Sequence, residues 1–165
     1  MLSEFIQKYR DFQFSNLSFH SSEDLKVYIL INGSLKLSKG KIASQVGHAI
    51  QLLTENLGNS NIWKKYKHSG IAKITLQVPT EQEFMEILDE TKDIFKVYVI
   101  DAGKTQCPEN SLTCVAYISL NKKEVPRCIS NLKLLYKLPI DFIKTSSDIY
   151  KIPTYCTCKL FFFTI

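Results

Sequence analysis

The tightest constraint on this chain is an apolar strand-like run followed, after a turn, by a long segment of helical period. Leu25 to Ile31 is rich in β-formers, and Asn32-Gly33-Ser34 is a turn signal. Ile42, Val46, Ile50, Leu53 and Leu57 then recur on one stripe, which predicts a helix from Ile42 to Leu57. Gly58-Asn59 is expected to stop that helix, with Gly58 supplying a left-handed turn. A second alternating run, Ile71 to Val78, ends at Pro79. Strand, helix and strand in that order favour a crossover connection, so the chain reads as α/β.

The remaining segments extend the pattern. Trp63 is followed by the basic stretch Lys64-Lys65-Tyr66-Lys67-His68, helical or irregular. Thr80 with Glu83 forms a capping-box pattern that opens a helix running to about Lys92. Val97 to Ile100 and Thr113 to Leu120 read as strands, and Pro126 to Leu135 as a last helix. The order β-α-β-α-β-β-α predicts one domain: a mixed, mainly parallel four-stranded sheet with helices packed on it and right-handed crossovers.

A chain of 165 residues, 45% of them hydrophobic, can build one proper core. Residues 1–24 read as an N-terminal appendage, with Leu2, Phe5, Ile6, Tyr9 and Phe12 at the spacing of a short amphipathic helix. Glu4, Lys8, Arg10 and Asp11 interrupt any signal-peptide core. Residues 136–165, with Pro139 and Pro153, form an extension whose role the sequence does not indicate. Leu160-Phe161-Phe162-Phe163 is too short to span a bilayer. Five cysteines, odd in number and irregularly spaced, argue for a reducing compartment. The expectation is a soluble, cytoplasmic protein without membrane contact. A net charge of +5 suits a phosphate-bearing partner but is shared by many plain proteins.

Two polar runs carry the chemistry: Ser38-Lys39-Gly40-Lys41 and Asp101-Ala102-Gly103-Lys104-Thr105-Gln106. Neither is a nucleotide-binding P-loop. The second has Tyr98 where the motif needs its first glycine, and the first has Ile42 in place of the hydroxyl. No Gly-x-Ser-x-Gly elbow is present, and His20, His48 and His68 lack metal-ligand spacing. Cys156 and Cys158 lack a second ligand pair, so no metal site is expected. Lys41, Gln45 and His48 fall on one strip beside the apolar stripe. A cation at a helix start is mildly unfavourable, so Lys39 and Lys41 flanking Gly40 fit an anion site, against the plainer reading of a solvated turn. Asp101 ends a strand, where open α/β sheets place functional groups; the plainer reading is an Asx turn.

Together the runs Leu35-Lys36-Leu37-Ser38-Lys39-Gly40-Lys41-Ile42-Ala43-Ser44-Gln45-Val46-Gly47-His48-Ala49 and Asp101 to Gln106, with Thr113 and Leu132-Lys133-Leu134-Leu135, resemble the type 2 peptidyl-tRNA hydrolases. The resemblance runs from about Leu25 to Leu135. It implies a metal-independent, cofactor-free cleavage of the ester between a peptide and the 3′ ribose of tRNA. Carried over, the catalytic positions are Lys41, Asp101, Thr105 and Thr113. Asp101 would orient or deprotonate water, Thr105 and Thr113 would hold water or ester, and Lys41 would stabilise developing negative charge. Lys41 and Asp101 could equally pair in the resting site. RNA would meet Lys36, Lys39, Lys104, Gln106 and His48, with Lys64, Lys65 and Lys67 as a second candidate patch. The implied partner is peptidyl-tRNA, and a homodimer is compatible. Asn32 and Ser34 stand where the family has arginine and aspartate; Gly70 to Lys73, Glu109-Asn110 and Ala116 to Ser119 also depart from its pattern. The alternative is a non-catalytic RNA-binding or protein-interaction module on the same scaffold.

Overall fold

The structure, a computed structural model, describes residues 25–135; the expected N-terminal helix and the segment 136–165 lie outside the described residues. Strand β1 (Lys26–Asn32) is buried from Val27 to Asn32, so both its faces are covered. A short 3-10 turn (Gly33–Leu35) leads to helix α1 (Lys39–Leu57). Helix α2 (Asn61–His68) follows, then β2 (Ala72–Val78), which pairs parallel to β1. Helix α3 (Glu81–Glu90) leads to β3 (Lys96–Asp101), and β4 (Ser111–Tyr117) returns antiparallel to it. The single-turn helix α4 (Arg127–Ser130) precedes β5 (Lys133–Leu134).

The sheet has five strands in the order β3-β4-β1-β2-β5. This corrects the expected four-stranded, mainly parallel sheet. Only β1–β2 pairs parallel; β1–β4, β2–β5 and β3–β4 are antiparallel. The cause is β4, which turns back from β3 and inserts between β3 and β1. The three strands that share a direction are therefore not all neighbours. The expected final helix is corrected too. It ends at Ser130, and the chain then extends so that Lys133 and Leu134 pair with Gln77 and Leu76.

Helix α1 begins three residues before the apolar stripe, because Ser38 caps it: its Oγ accepts the Lys41 N–H at 3.3 Å. Its buried line is Gln45, Ala49, Leu53 and Leu57, with Ile42, Val46 and Ile50 half-buried at its flank. Gln45 thus lies within the core-facing line, not beside it. Leu53 and Leu57 are almost wholly buried, each worth roughly 1.5–3 kcal/mol. Gly58 does not make the expected left-handed turn; at φ −50° it stays right-handed and donates to the Thr54 carbonyl at 2.8 Å. Thr80 caps α3 as its pattern predicts, accepting the Glu83 N–H at 3.2 Å.

One irregularity positions the site. Val99 pairs with Cys114 and Ile100 with Leu112, so Thr113 has no β3 partner of its own. This bulge turns Thr113 and Cys114 both toward α1, while Leu112 lies with Phe84 and Met85 of α3.

Candidate active site

The C-terminal ends of β1 and β3 and the first turn of α1 converge. Asp101, the last residue of β3, has a side chain only 8% exposed. Its Oδ2 forms a salt bridge with the Lys41 ammonium and accepts from Gln45 Nε2 at 2.9 Å. Its Oδ1 accepts the Gly103 N–H at 2.9 Å, the Asx turn that the sequence also allowed. The Lys41 ammonium on Oδ2 and the Gly103 N–H on Oδ1 hold the Asp101 carboxyl below the usual carboxylate range, against the opposing effect of burial. Lys41 Nζ also donates to Thr105 Oγ1 at 3.1 Å, and Thr105 is exposed. Lys41 and Thr105 therefore form the rim of the cluster and Asp101 its floor.

Thr113 joins from behind. It is wholly buried, and its Oγ1 lies 2.9 Å from Gln45 Oε1 and 2.9 Å from the Val99 carbonyl, two acceptors for one proton. Its reach to Asp101 runs through Gln45, whose amide accepts from Thr113 and donates to the carboxylate. Gln45 is the functional residue that the sequence placed in the right motif but outside the site. Its signal was the four-residue step from Lys41, one helical turn along the same face.

Gly103 shapes the loop. It has φ +74°, and a Cβ there would meet the Glu109 backbone at 2.5 Å, so only glycine lets the loop fold back on itself. The folded loop buries Cys107 beside Asp101. Burial and the neighbouring carboxylate push that thiol's pKa up, so Cys107 stays protonated at neutral pH. Gln106 bridges to the other polar run: its Oε1 accepts the Ser38 N–H at 3.0 Å and its Nε2 donates to Ser38 Oγ at 2.8 Å.

Of the expected RNA contacts, Lys36, Lys39, Lys104 and His48 are exposed. Lys36 caps the 3-10 turn in a left-handed conformation, at φ 48°. Gln106 differs from them, because both ends of its amide are engaged by Ser38. Asn32, one of the departures from the family pattern, donates to the Leu112 carbonyl at 3.0 Å and accepts from Ser34 N and Oγ, at 3.2 and 2.6 Å. Those two substituted positions now bond each other and tie β1 to β4. Among the described residues no group of three His, Cys, Asp or Glu side chains could hold a metal ion. Among the same residues no helix is long and apolar enough to cross a membrane.

On a mixed α/β sheet, the site joins a lysine–carboxylate pair to a buried amide behind it and the Thr105 hydroxyl at its rim. The family model described as "Peptidyl-tRNA hydrolase PTH2" matches residues 25–135, and the chain belongs to that family. It is 33% identical over 119 residues to the peptidyl-tRNA hydrolase of Saccharolobus solfataricus, covering 67% of this chain and 99% of that one. With the peptidyl-tRNA hydrolase of Methanococcus vannielii it shares 37% over 112 residues, 65% of this chain and 96% of the relative. With the "Probable peptidyl-tRNA hydrolase 2" of Drosophila melanogaster it shares 30% over 118 residues, 69% of this chain; the match spans 63% of that relative.

Proposed function

We propose that the Lys41–Asp101–Gln45 cluster carries out the reaction for which this family is named, hydrolysis of the ester that joins a peptide to the 3′ ribose of tRNA. A water bound at Asp101 Oδ1, the oxygen not engaged by Lys41 or Gln45, attacks the ester carbonyl and passes its proton to that carboxylate. The oxyanion forms against the Lys41 ammonium and the Thr105 hydroxyl. Collapse expels the ribose 3′ oxygen, which takes the proton back from Asp101. Because the carboxyl pKa is held low, Asp101 is a weak base, and the larger share of the rate enhancement falls to electrostatic stabilisation by Lys41.

Gln45 and Thr113 are positioning residues in this scheme. They fix the carboxylate from below, and Thr113, wholly buried, acts through Gln45 and not on substrate. No step is assigned to a metal, since Lys41 polarises the carbonyl. The observation that carries the proposal is the convergence on one carboxylate of Lys41 and Gln45 from α1, with Thr105 from the loop beyond β3 on Lys41 itself.

Purified protein should deacylate a defined N-acetyl-aminoacyl-tRNA with a metal chelator present. Asp101→Asn is nearly isosteric and should keep the fold while lowering turnover by about a hundredfold or more. Near-normal turnover by the folded variant would remove Asp101 from the mechanism.

A further inference from the structure

The helices divide charge between the two faces of the sheet. Helices α1 and α2 carry five lysines and a single carboxylate, Glu55. Helix α3 carries five carboxylates, all exposed, and no lysine or arginine. The connection β1-α1-α2-β2 steps one way across the sheet and β2-α3-β3 steps back the other way. With the right-handed crossovers such units adopt, the two sets of helices fall on opposite faces. Contacts along β4 agree: Thr113 and Cys114 meet Gln45 of α1, whereas the Tyr117 hydroxyl lies 2.8 Å from Thr91 at the end of α3. The α1–α2 helices present mainly lysines, and helix α3 on the other face presents carboxylates, with Arg127 of α4 packed beside it.

On the α1–α2 face, the burial of Ile62, Trp63 and Tyr66 fixes which way α2 turns its lysines. Lys64, Lys65 and Lys67 are all exposed. Between them and the cluster lies the exposed strip of α1, Ser44, Gly47, His48 and Gln51, and its one carboxylate, Glu55, stands at the far end, accepting from Gln51 Nε2 at 2.8 Å. Nothing approaches within 4 Å of where a Cβ would stand at Gly40 or Gly47, so the strip is open. From Lys41 to Leu57 the helix climbs about 24 Å, the span of about seven stacked nucleotides. Three nucleotides at the 3′ end cannot bridge it.

We propose that this α1–α2 face holds the body of the tRNA, which runs from the Lys41–Asp101 cluster along the exposed side of α1 to Lys64, Lys65 and Lys67. The inference rests on the hydrolase reading for its substrate and adds a second, remote phosphate-binding surface. Lysines there bind backbone charge and read no sequence, as an enzyme for many tRNAs requires. The carboxylates of α3 disfavour the opposite docking by like-charge repulsion.

The test compares two esters of N-acetylated amino acid: one on full-length tRNA, one on a CCA trinucleotide too short to reach α2. In the triple variant Lys64→Gln, Lys65→Gln, Lys67→Gln, kcat/KM on full tRNA should fall at least tenfold further than on the trinucleotide. Affinity for uncharged tRNA should lose about 2 to 3 units of its log–log salt slope. Gly47→Glu, which places a carboxylate midway without a clash, should weaken tRNA binding in the same way. Glu83→Gln with Glu86→Gln on α3 should change both esters alike. Equal effects of the triple variant on both esters, or an unchanged salt slope, would overturn the proposal and leave α2 an ordinary solvated helix. Uncharged-tRNA affinity needs no turnover, so a protein that cleaves neither ester would sink the hydrolase reading alone.

Discussion

Gln106 grips Ser38 at both ends of its amide, accepting the backbone N–H at 3.0 Å and donating to the hydroxyl at 2.8 Å, across 68 residues of sequence. Ser38 is the N-cap of the helix that carries Lys41, and Gln106 closes the loop that follows Asp101. The two polar runs are therefore latched to each other beside the salt bridge. Gln106→Ala should lower kcat by about tenfold, the effect of loosened positioning, and leave KM for tRNA and the salt slope near wild type. A Gln106 that held RNA phosphate would give the reverse, a higher KM and a shallower slope with kcat kept.

Gln45 donates to the same Asp101 oxygen that Lys41 holds. Asp101 is held below the usual carboxylate range, so its ionised form persists throughout the mild acid range. Activity that needs this carboxylate should show no acid limb from Asp101 between about pH 5 and 7. Gln45→Glu replaces a donor with a second carboxylate beside Oδ2, which raises the carboxyl pKa of the pair. An acid limb should then enter the kcat/KM profile above pH 5. A Gln45→Glu profile that overlays the wild type would show that the Gln45 contact does not act on Asp101.

Lys41 should matter to chemistry more than to binding. Lys41→Met keeps the unbranched stem, one atom shorter, and removes the charge proposed to face the oxyanion. Loss of such a partner commonly costs about 10²–10³ in kcat. Were kcat preserved at saturating substrate and only KM raised, Lys41 would be a phosphate clamp.

Lys96 supplies a stability test away from the site. It is buried at the start of β3, donates to the Thr91 and Ile94 carbonyls at 2.6 and 2.9 Å, and lies 5.6 Å from the Tyr117 ring centroid. Burial pulls its ammonium down from 10.5 to about 8. Between those values the folded chain has released a proton that the unfolded chain keeps, so this group makes stability rise with pH from about 8 toward 10.5. Below that window the full cost of burying the charge remains. Buried Cys114, raised from 9.0 to about 12, acts in the opposite direction over its own window. The quantity to measure is the difference in denaturant midpoint between wild type and Lys96→Met at pH 7.5 and 9.5. Wild type should gain on the variant at the higher pH; a constant difference would mean that Lys96 titrates alike in both states.

The elements were legible because each has a local cause. The β-rich run at Val27 to Ile31, the stripe through Leu53 and Leu57, and the Thr80 cap of α3 are all set by residues within a turn or two of one another. Lys41 and Asp101 were legible for the same reason, as polar groups at element ends where stability asks for neither. What joins the elements was not. Insertion of β4 between β3 and β1, and pairing of β5 on the far edge, depend on which strand edges remain open once the helices are packed, a non-local choice that makes the sheet mainly antiparallel. The bulge that turns Thr113 toward Gln45 leaves no mark in composition, because threonine suits a regular strand as well. Gln45 reads as an ordinary polar helix residue until Asp101, 56 positions later, supplies the carboxylate its amide holds. By itself the sequence determined which segments are strand or helix and which charged groups stand at their ends. The tertiary structure decided what those groups touch, because a side-chain hydrogen bond exists only where packing brings donor and acceptor within about 3 Å.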